Sequence, residues 1–152
     1  MKKIILGTLL LLFSVPSFSQ TCEEREDKLL ESFGSFSAGF IYNTYGLIGS
    51  VTDGYMKDAY SDETLNDLMK AQKSVLDNLV SVLTKMIDEK TLKDDADVNY
   101  CNKAISIMKG LKTQAELLQE YARKRNRDSQ NAYDVQRQKN WKDISKLMGI
   151  AE

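Results

Sequence analysis

Residues 32–52 contain no Asp, Glu, Lys or Arg, although these four residue types make up 28% of the chain. Apolar side chains recur in and around this stretch at helical spacing on two adjoining stripes, so a helix here is apolar around much of its circumference. The stripes are Phe33, Phe36, Phe40, Leu47 and Val51, and Ile41, Tyr45, Ile48 and Tyr55. A helix of this kind must be surrounded by other elements. The stretch therefore predicts the core helix of a bundle.

Two other interpretations of the same stretch remain open. It is about as long as the ~20 residues of a membrane span, but its many serine, threonine and asparagine side chains disfavour insertion. Alternatively, its glycines, each costing about 1 kcal/mol relative to alanine in a helix interior, make room for a small apolar ligand. The candidate ligand pocket then consists of Phe36, Phe40, Tyr42, Tyr45, Asp53 and Tyr55.

The first 19 residues have the three regions of a secretory signal peptide. Lys2 and Lys3 precede an apolar run over residues 4–15, and Pro16 and a small-residue segment follow it. The pattern resembles bacterial Sec signals and predicts cleavage after Ser19, with the mature protein in the periplasm or secreted. Because the apolar run is too short to span a bilayer comfortably, no transmembrane span is expected in the mature chain.

Cys22 offers an alternative, because it lies just past this cleavage site and is a candidate for acylation, as in a lipoprotein. Lipoprotein sites resemble Leu-x-small-Cys, whereas the cysteine here follows Ser19, Gln20 and Thr21. The departure favours simple export over membrane anchoring through Cys22.

Residues 20–152 form a single domain of ordinary size. Its net charge is −3, because the signal peptide takes two of the 21 basic residues and none of the 22 acidic ones. Residues 20–102 carry 8 basic and 16 acidic side chains, a net charge of −8. Residues 103–152 carry 11 basic and 6 acidic side chains, a net charge of +5. This balance does not suggest nucleic acid, and the asymmetry indicates either acidic helices packed against basic ones or a two-faced surface.

Three further helices are predicted after the first. The second begins at Ser61 and has a core stripe of Leu65, Leu68, Gln72, Val75, Leu79, Val82 and Met86, widened by Met69, Leu76, Leu83 and Ile87. The third follows a break over residues 90–95 and has a core stripe of Cys101, Ala104, Met108, Leu111, Ala115, Leu118 and Ala122. The fourth stops near Gly149. Short connections predict an all-α, antiparallel up-down-up-down four-helix bundle; the alternative is a three-helix core with a loosely packed last helix.

Export to an oxidising compartment predicts a disulfide between Cys22 and Cys101. In such a bundle the first and third helices run parallel, so both cysteines lie near one end. However, Cys101 is level with about residue 35 of the first helix, and an unbroken helix back to Cys22 overshoots it by about 20 Å. The disulfide therefore requires the chain to fold back near Gly34.

The sequence contains few of the residue patterns that catalysis needs. The chain has no histidine, which removes the usual nucleophile triads, ordinary zinc sites and the di-iron sites of helical bundles. No phosphate-binding glycine loop appears. Asp95, Asp97 and Asn99 resemble the opening of a calcium loop, but Tyr100 replaces its glycine and Ser106 its last ligand. We therefore expect no enzymatic activity, no cofactor and no metal.

A few polar and aromatic residues remain as candidates. Asp53, at the end of the uncharged stretch, is a candidate for catalysis by carboxylates alone, which ranks behind the two hypotheses below. Gln72 and Gln114 are expected to pair and set helix register. Tyr133, Arg137 and Trp141 form a candidate interaction patch. The lysines around Trp141 also suggest contact with an anionic membrane surface, or simply the wet face of a core helix.

Two functional hypotheses follow. The first is an exported, non-enzymatic protein-interaction module with a protein partner. The second is a carrier or sensor for a small apolar ligand bound along the glycine-rich first helix. The sequence alone does not identify the partner, the ligand or the oligomeric state.

Overall fold

The computed structural model describes residues 21–150. This part of the chain consists of four helices and contains no strand: α1 (Cys22–Met56), α2 (Asp62–Asp88), α3 (Asp95–Lys124) and α4 (Arg127–Met148). The predicted all-α fold with four helices is confirmed. The predicted signal peptide lies outside the described residues.

Each helix begins at a side chain that accepts a hydrogen bond from the first turn. Thr21 forms a capping box with Glu24, and Ser61, Asp94 and Asn126 cap the other three helices. Such caps satisfy backbone N–H groups that have no partner within the helix. At the end of α4, Gly149 has a φ of 65°, a left-handed conformation that glycine adopts at little cost. The caps explain why three predicted boundaries are close to those observed: the start of α2 at Ser61, the break over residues 90–95 before α3, and the end of α4 near Gly149.

Consecutive helices run antiparallel, as their cross-helix hydrogen bonds show. Gln72 of α2 donates to Thr44 of α1, and Lys112 of α3 donates to Asp77 of α2. Asn140 of α4 donates to Gln114 of α3. The helices therefore alternate up and down, with α1 and α3 parallel.

The most deeply packed helix is α3, not the uncharged α1. It contacts all three other helices, whereas α2 and α4 make no contact with each other within residues 21–150. All seven residues predicted for its core stripe are buried. On α1, by contrast, Phe36 is 77% exposed and Tyr42 and Leu47 are also exposed. The prediction of a fully surrounded first helix is therefore wrong.

The predicted fold-back near Gly34 is also wrong, because α1 is a single helix from its cap at Thr21. The hydroxyl of Tyr100 donates to the carbonyl of Gly34 at 2.6 Å, which sets the alignment of α1 with α3. On this alignment Cys101 is level with about residue 35, about 20 Å along α1 from Cys22. The predicted disulfide is wrong: both cysteines are free, with Cys22 exposed and Cys101 buried.

The second helix turns a different side to the core than predicted. Leu65, Met69, Leu76 and Leu83 are its buried side chains. The predicted core residues Leu68, Val75 and Val82 are exposed. The apolar surface of α2 is wider than α3 and α1 can cover, so only one edge of it is buried.

The fourth helix packs closely on α3 through buried polar groups. Asn140 donates to the Gly110 carbonyl at 3.0 Å and to the Gln114 side-chain oxygen at 2.8 Å. The Gln114 amide donates to the Tyr133 hydroxyl, which also bonds Thr52 of α1 at 2.7 Å. Both glutamines therefore have partners other than each other, so the predicted Gln72–Gln114 pair is wrong.

Candidate protein-interaction surface

The six residues of the predicted ligand pocket face different directions. Phe36 and Phe40 share a side of α1 with Leu29, which lies near Met86 of α2. Tyr42 and Tyr45 lie against α4. Asp53 is exposed, and Tyr55 is buried at the end of the bundle. The structure does not bring these residues around one cavity.

Tyr55 connects the end of α1 with the start of α2 and the end of α3. Its hydroxyl donates to Asp62 at 2.7 Å, and the Arg125 guanidinium lies 4.9 Å from the centre of its ring. Arg125 also donates to Asp62 at 2.8 Å. Burial and the hydrogen bond to Asp62 raise the pKa of Tyr55 to about 12. These contacts account for Tyr55 as a structural residue of the bundle end.

The predicted interaction patch is divided between the core and the surface. Tyr133 is buried in the polar cluster, and its burial raises the pKa of its hydroxyl. Trp141 is 37% exposed. Arg137 lies near Gly49 of α1. Only Arg137 and Trp141 are therefore placed at the surface to contact another molecule.

Trp141 and Arg137 instead form an aromatic–arginine cluster with α1. The ring of Trp141 lies 5.6 Å from that of Tyr45 and 6.4 Å from that of Tyr42, distances typical of interacting aromatic pairs. Beside the cluster is a shallow cleft of about 320 Å³. The cluster combines residues from both predicted sites, although the sequence did not place them together.

The larger exposed apolar surface lies on the other side of α1, where it runs beside α2. We call it the α1–α2 apolar face and define it by six exposed side chains: Leu29, Phe36, Leu47, Leu68, Val75 and Val82. Half-buried apolar residues that pack on the core lie between them, namely Phe33, Phe40, Leu79 and Met86.

The antiparallel alignment of α1 and α2 makes this face continuous. The hydrogen bond from Gln72 to Thr44 sets the alignment, which places Leu47 level with Leu68 and Phe40 level with Val75. At the far end, Leu29, Leu30 and Met86 line one surface depression. The apolar side chains therefore follow one another along most of the length of both helices.

The borders of the face are polar but uncharged. On α1 they include the exposed residues Ser32, Asn43 and Ser50, and on α2 they include Ser74, Asn78 and Ser81. Charged side chains occur toward the ends, for example at Arg25 and Asp67. In a chain that is 28% charged, an exposed surface of this length without charge is unusual for a face that only meets water.

Sequence reasoning missed this face, although a signal for it was present. Leu68, Val75 and Val82 recur every seven residues along α2. A second apolar stripe, which includes Met69 and Leu76, runs directly beside them. Together the two stripes are wider than the single apolar stripe with which an ordinary amphipathic helix faces the core. The excess width indicates a second contact surface.

Other kinds of site have less support in the described residues. No helix within residues 21–150 is long and apolar enough to cross a membrane. The same part of the chain has no group of three or more cysteine, aspartate or glutamate side chains placed to hold a metal ion. A cleft of about 550 Å³ between α3 and α4 is open and has charged residues such as Lys103 and Asp143 in its lining.

In comparisons with known proteins, no family model, no curated protein and no solved structure matches this chain.

Proposed function

We propose that this chain is an exported, non-enzymatic protein-interaction module of the envelope or the extracellular space, and that it binds protein through the α1–α2 apolar face. Export is proposed from the signal-peptide pattern of residues 1–19. The observation that carries the binding proposal is the row of exposed apolar side chains shared by α1 and α2.

The area of the face supports this proposal. The six defining side chains are 38–77% exposed. Together they form an apolar patch on the order of several hundred Å², which is the size of the largest patches on monomeric proteins, and such patches are often functional. A protein partner that covers the face removes this apolar surface from water, which is the main favourable contribution to association.

The alternative function, a carrier of a small apolar ligand, has less support. It depends on a pocket along α1, but Phe36 and Tyr42 project into solvent on different sides of the helix. No observation favours it over protein binding.

Photo-crosslinking in the native cells tests the proposed function. A photoreactive amino acid is placed at Phe36 or at Val75, both on the α1–α2 apolar face. The control position is Val135, which is 67% exposed on α4 and lies away from the face. We expect discrete protein adducts from Phe36 and Val75 and none from Val135. Absence of adducts at both face positions, or equal adducts at all three, would reject binding through this face.

A further inference from the structure

We infer that the occupant of the α1–α2 apolar face is a second copy of this chain, so that the protein is a two-fold symmetric dimer. This inference depends on the proposed function, because it names the partner of the same surface.

The centre of the α1–α2 apolar face carries no charged side chain. In a two-fold dimer the same patch faces itself, so any charged side chain near the axis meets its own copy and repels it. Residues 32–52 of α1 contain no Asp, Glu, Lys or Arg. The facing side of α2 also has none at Leu68, Ala71, Gln72, Val75, Asn78, Leu79 and Val82. The centre of the face therefore pairs with itself without like-charge repulsion.

The borders of the α1–α2 apolar face consist of side chains that can hydrogen-bond to copies of themselves. Serine and asparagine side chains each carry both donor and acceptor groups, so the rows of Ser32, Asn43 and Ser50 and of Ser74, Asn78 and Ser81 are complementary to themselves. A partner selected by charge would need charged groups on this border, and the border has none between Glu31 and Asp53 on α1. The acidic excess of the N-terminal half lies mainly toward the ends of α1 and α2, where salt screens it beyond about 8 Å.

The area of the face is compatible with a dimer interface. A stable interface buries about 800 Å² on each partner. The exposed apolar side chains supply on the order of several hundred Å² of this area, and the half-buried residues between them and the polar borders add to it. The anatomy is also suitable, with an apolar centre that includes Phe36 and an uncharged polar border.

Sedimentation equilibrium and native mass spectrometry of the protein purified after export test the inference. We expect a dimer at tens of micromolar. Phe36→Glu and Val75→Glu should each weaken the dimer at least tenfold, because each copy then places a carboxylate in the apolar centre. Val135→Glu adds the same charge on α4 and should leave the dimer unchanged. Since Phe36 is 77% exposed, its replacement should leave the helical circular dichroism of the chain intact.

Salt dependence gives a second measurement. Association through an uncharged face should change its dissociation constant less than about threefold between 0.05 and 0.5 M NaCl, because few charges are screened. A wild-type protein that stays monomeric at these concentrations would overturn the inference, as would a dimer that persists in both face variants. Monomeric protein combined with cross-links from Phe36 to a different protein would overturn the second copy as occupant and leave the proposed function standing.

Discussion

At the scale of single residues, Gly110 decides how closely α3 and α4 approach. A Cβ atom at this position would collide with the Oδ1 atom of Asn140. The Asn140 side chain is buried and donates to Gly110 and Gln114, so it has no room to move aside. The absence of a side chain at Gly110 is therefore a condition for the buried polar cluster.

Gly110→Ala should destabilise the protein by about 1–3 kcal/mol, because overpacking of a filled core outweighs the helix propensity that alanine gains. Gly46→Ala is the matched control, since a Cβ there meets no atom within 4 Å. It should stabilise the protein by up to about 1 kcal/mol. Urea unfolding of both variants measures the difference, and equal effects of the two substitutions would contradict the role assigned to Gly110.

Tyr55 makes the stability of the folded protein depend on pH in the alkaline range. Its pKa is raised from an ordinary 10.0 to about 12, first by burial and then by the hydrogen bond to Asp62. In the unfolded chain the hydroxyl loses its proton near the lower value, so the folded state holds the proton more tightly. Its contribution to stability is therefore complete below about pH 10 and is lost as pH rises toward about 12.

Tyr55→Phe should reduce the free energy of unfolding at pH 8 by about 1 kcal/mol, because the hydrogen bond to Asp62 is lost. It should also flatten the decline in stability between about pH 10 and 12. The measurement is chemical unfolding across pH 8–12. The control is Tyr60→Phe, which removes the hydroxyl of an exposed tyrosine in the nearby connection between α1 and α2. An unchanged slope in Tyr55→Phe would show that this group does not carry the pH dependence.

At the scale of elements, the continuity of α1 explains why the cysteines remain apart. The sequence contains a capping-box signature, Thr21 followed three residues later by Glu24, which places the start of the helix immediately before Cys22. An ion pair between Glu26 and Lys93 then attaches the first turns of α1 to the connection between α2 and α3. A capped helix held in this way has no reason to fold back at Gly34.

The two thiols should therefore react at very different rates. Under native, non-reducing conditions we expect rapid alkylation of Cys22, which is exposed. Cys101 should react only after unfolding, because it is 2% exposed and its burial raises the pKa of its thiol. Mass spectrometry should count one alkylated cysteine in the folded protein and two in guanidinium. A chain with no reactive thiol in guanidinium without reductant would restore the disulfide.

At the scale of the whole molecule, α3 is central because the other three helices surround it. With α2 and α4 on opposite sides of α3, α1 covers the space between them and keeps its outer side in solvent. This arrangement leaves the α1–α2 apolar face open. It also brings Tyr42 and Tyr45 of α1 against Trp141 of α4.

The helices and most of their ends could be predicted from the amino-acid sequence, because caps and apolar periodicity act over a few neighbouring residues. The buried side of α3 could also be predicted, since its one narrow apolar stripe leaves no choice of orientation. Which side of α1 and α2 is buried depends on tertiary packing, because both helices carry more apolar surface than their neighbours cover. That choice is made by contacts between residues distant in the chain, such as the hydrogen bonds from Tyr100 to Gly34 and from Gln72 to Thr44.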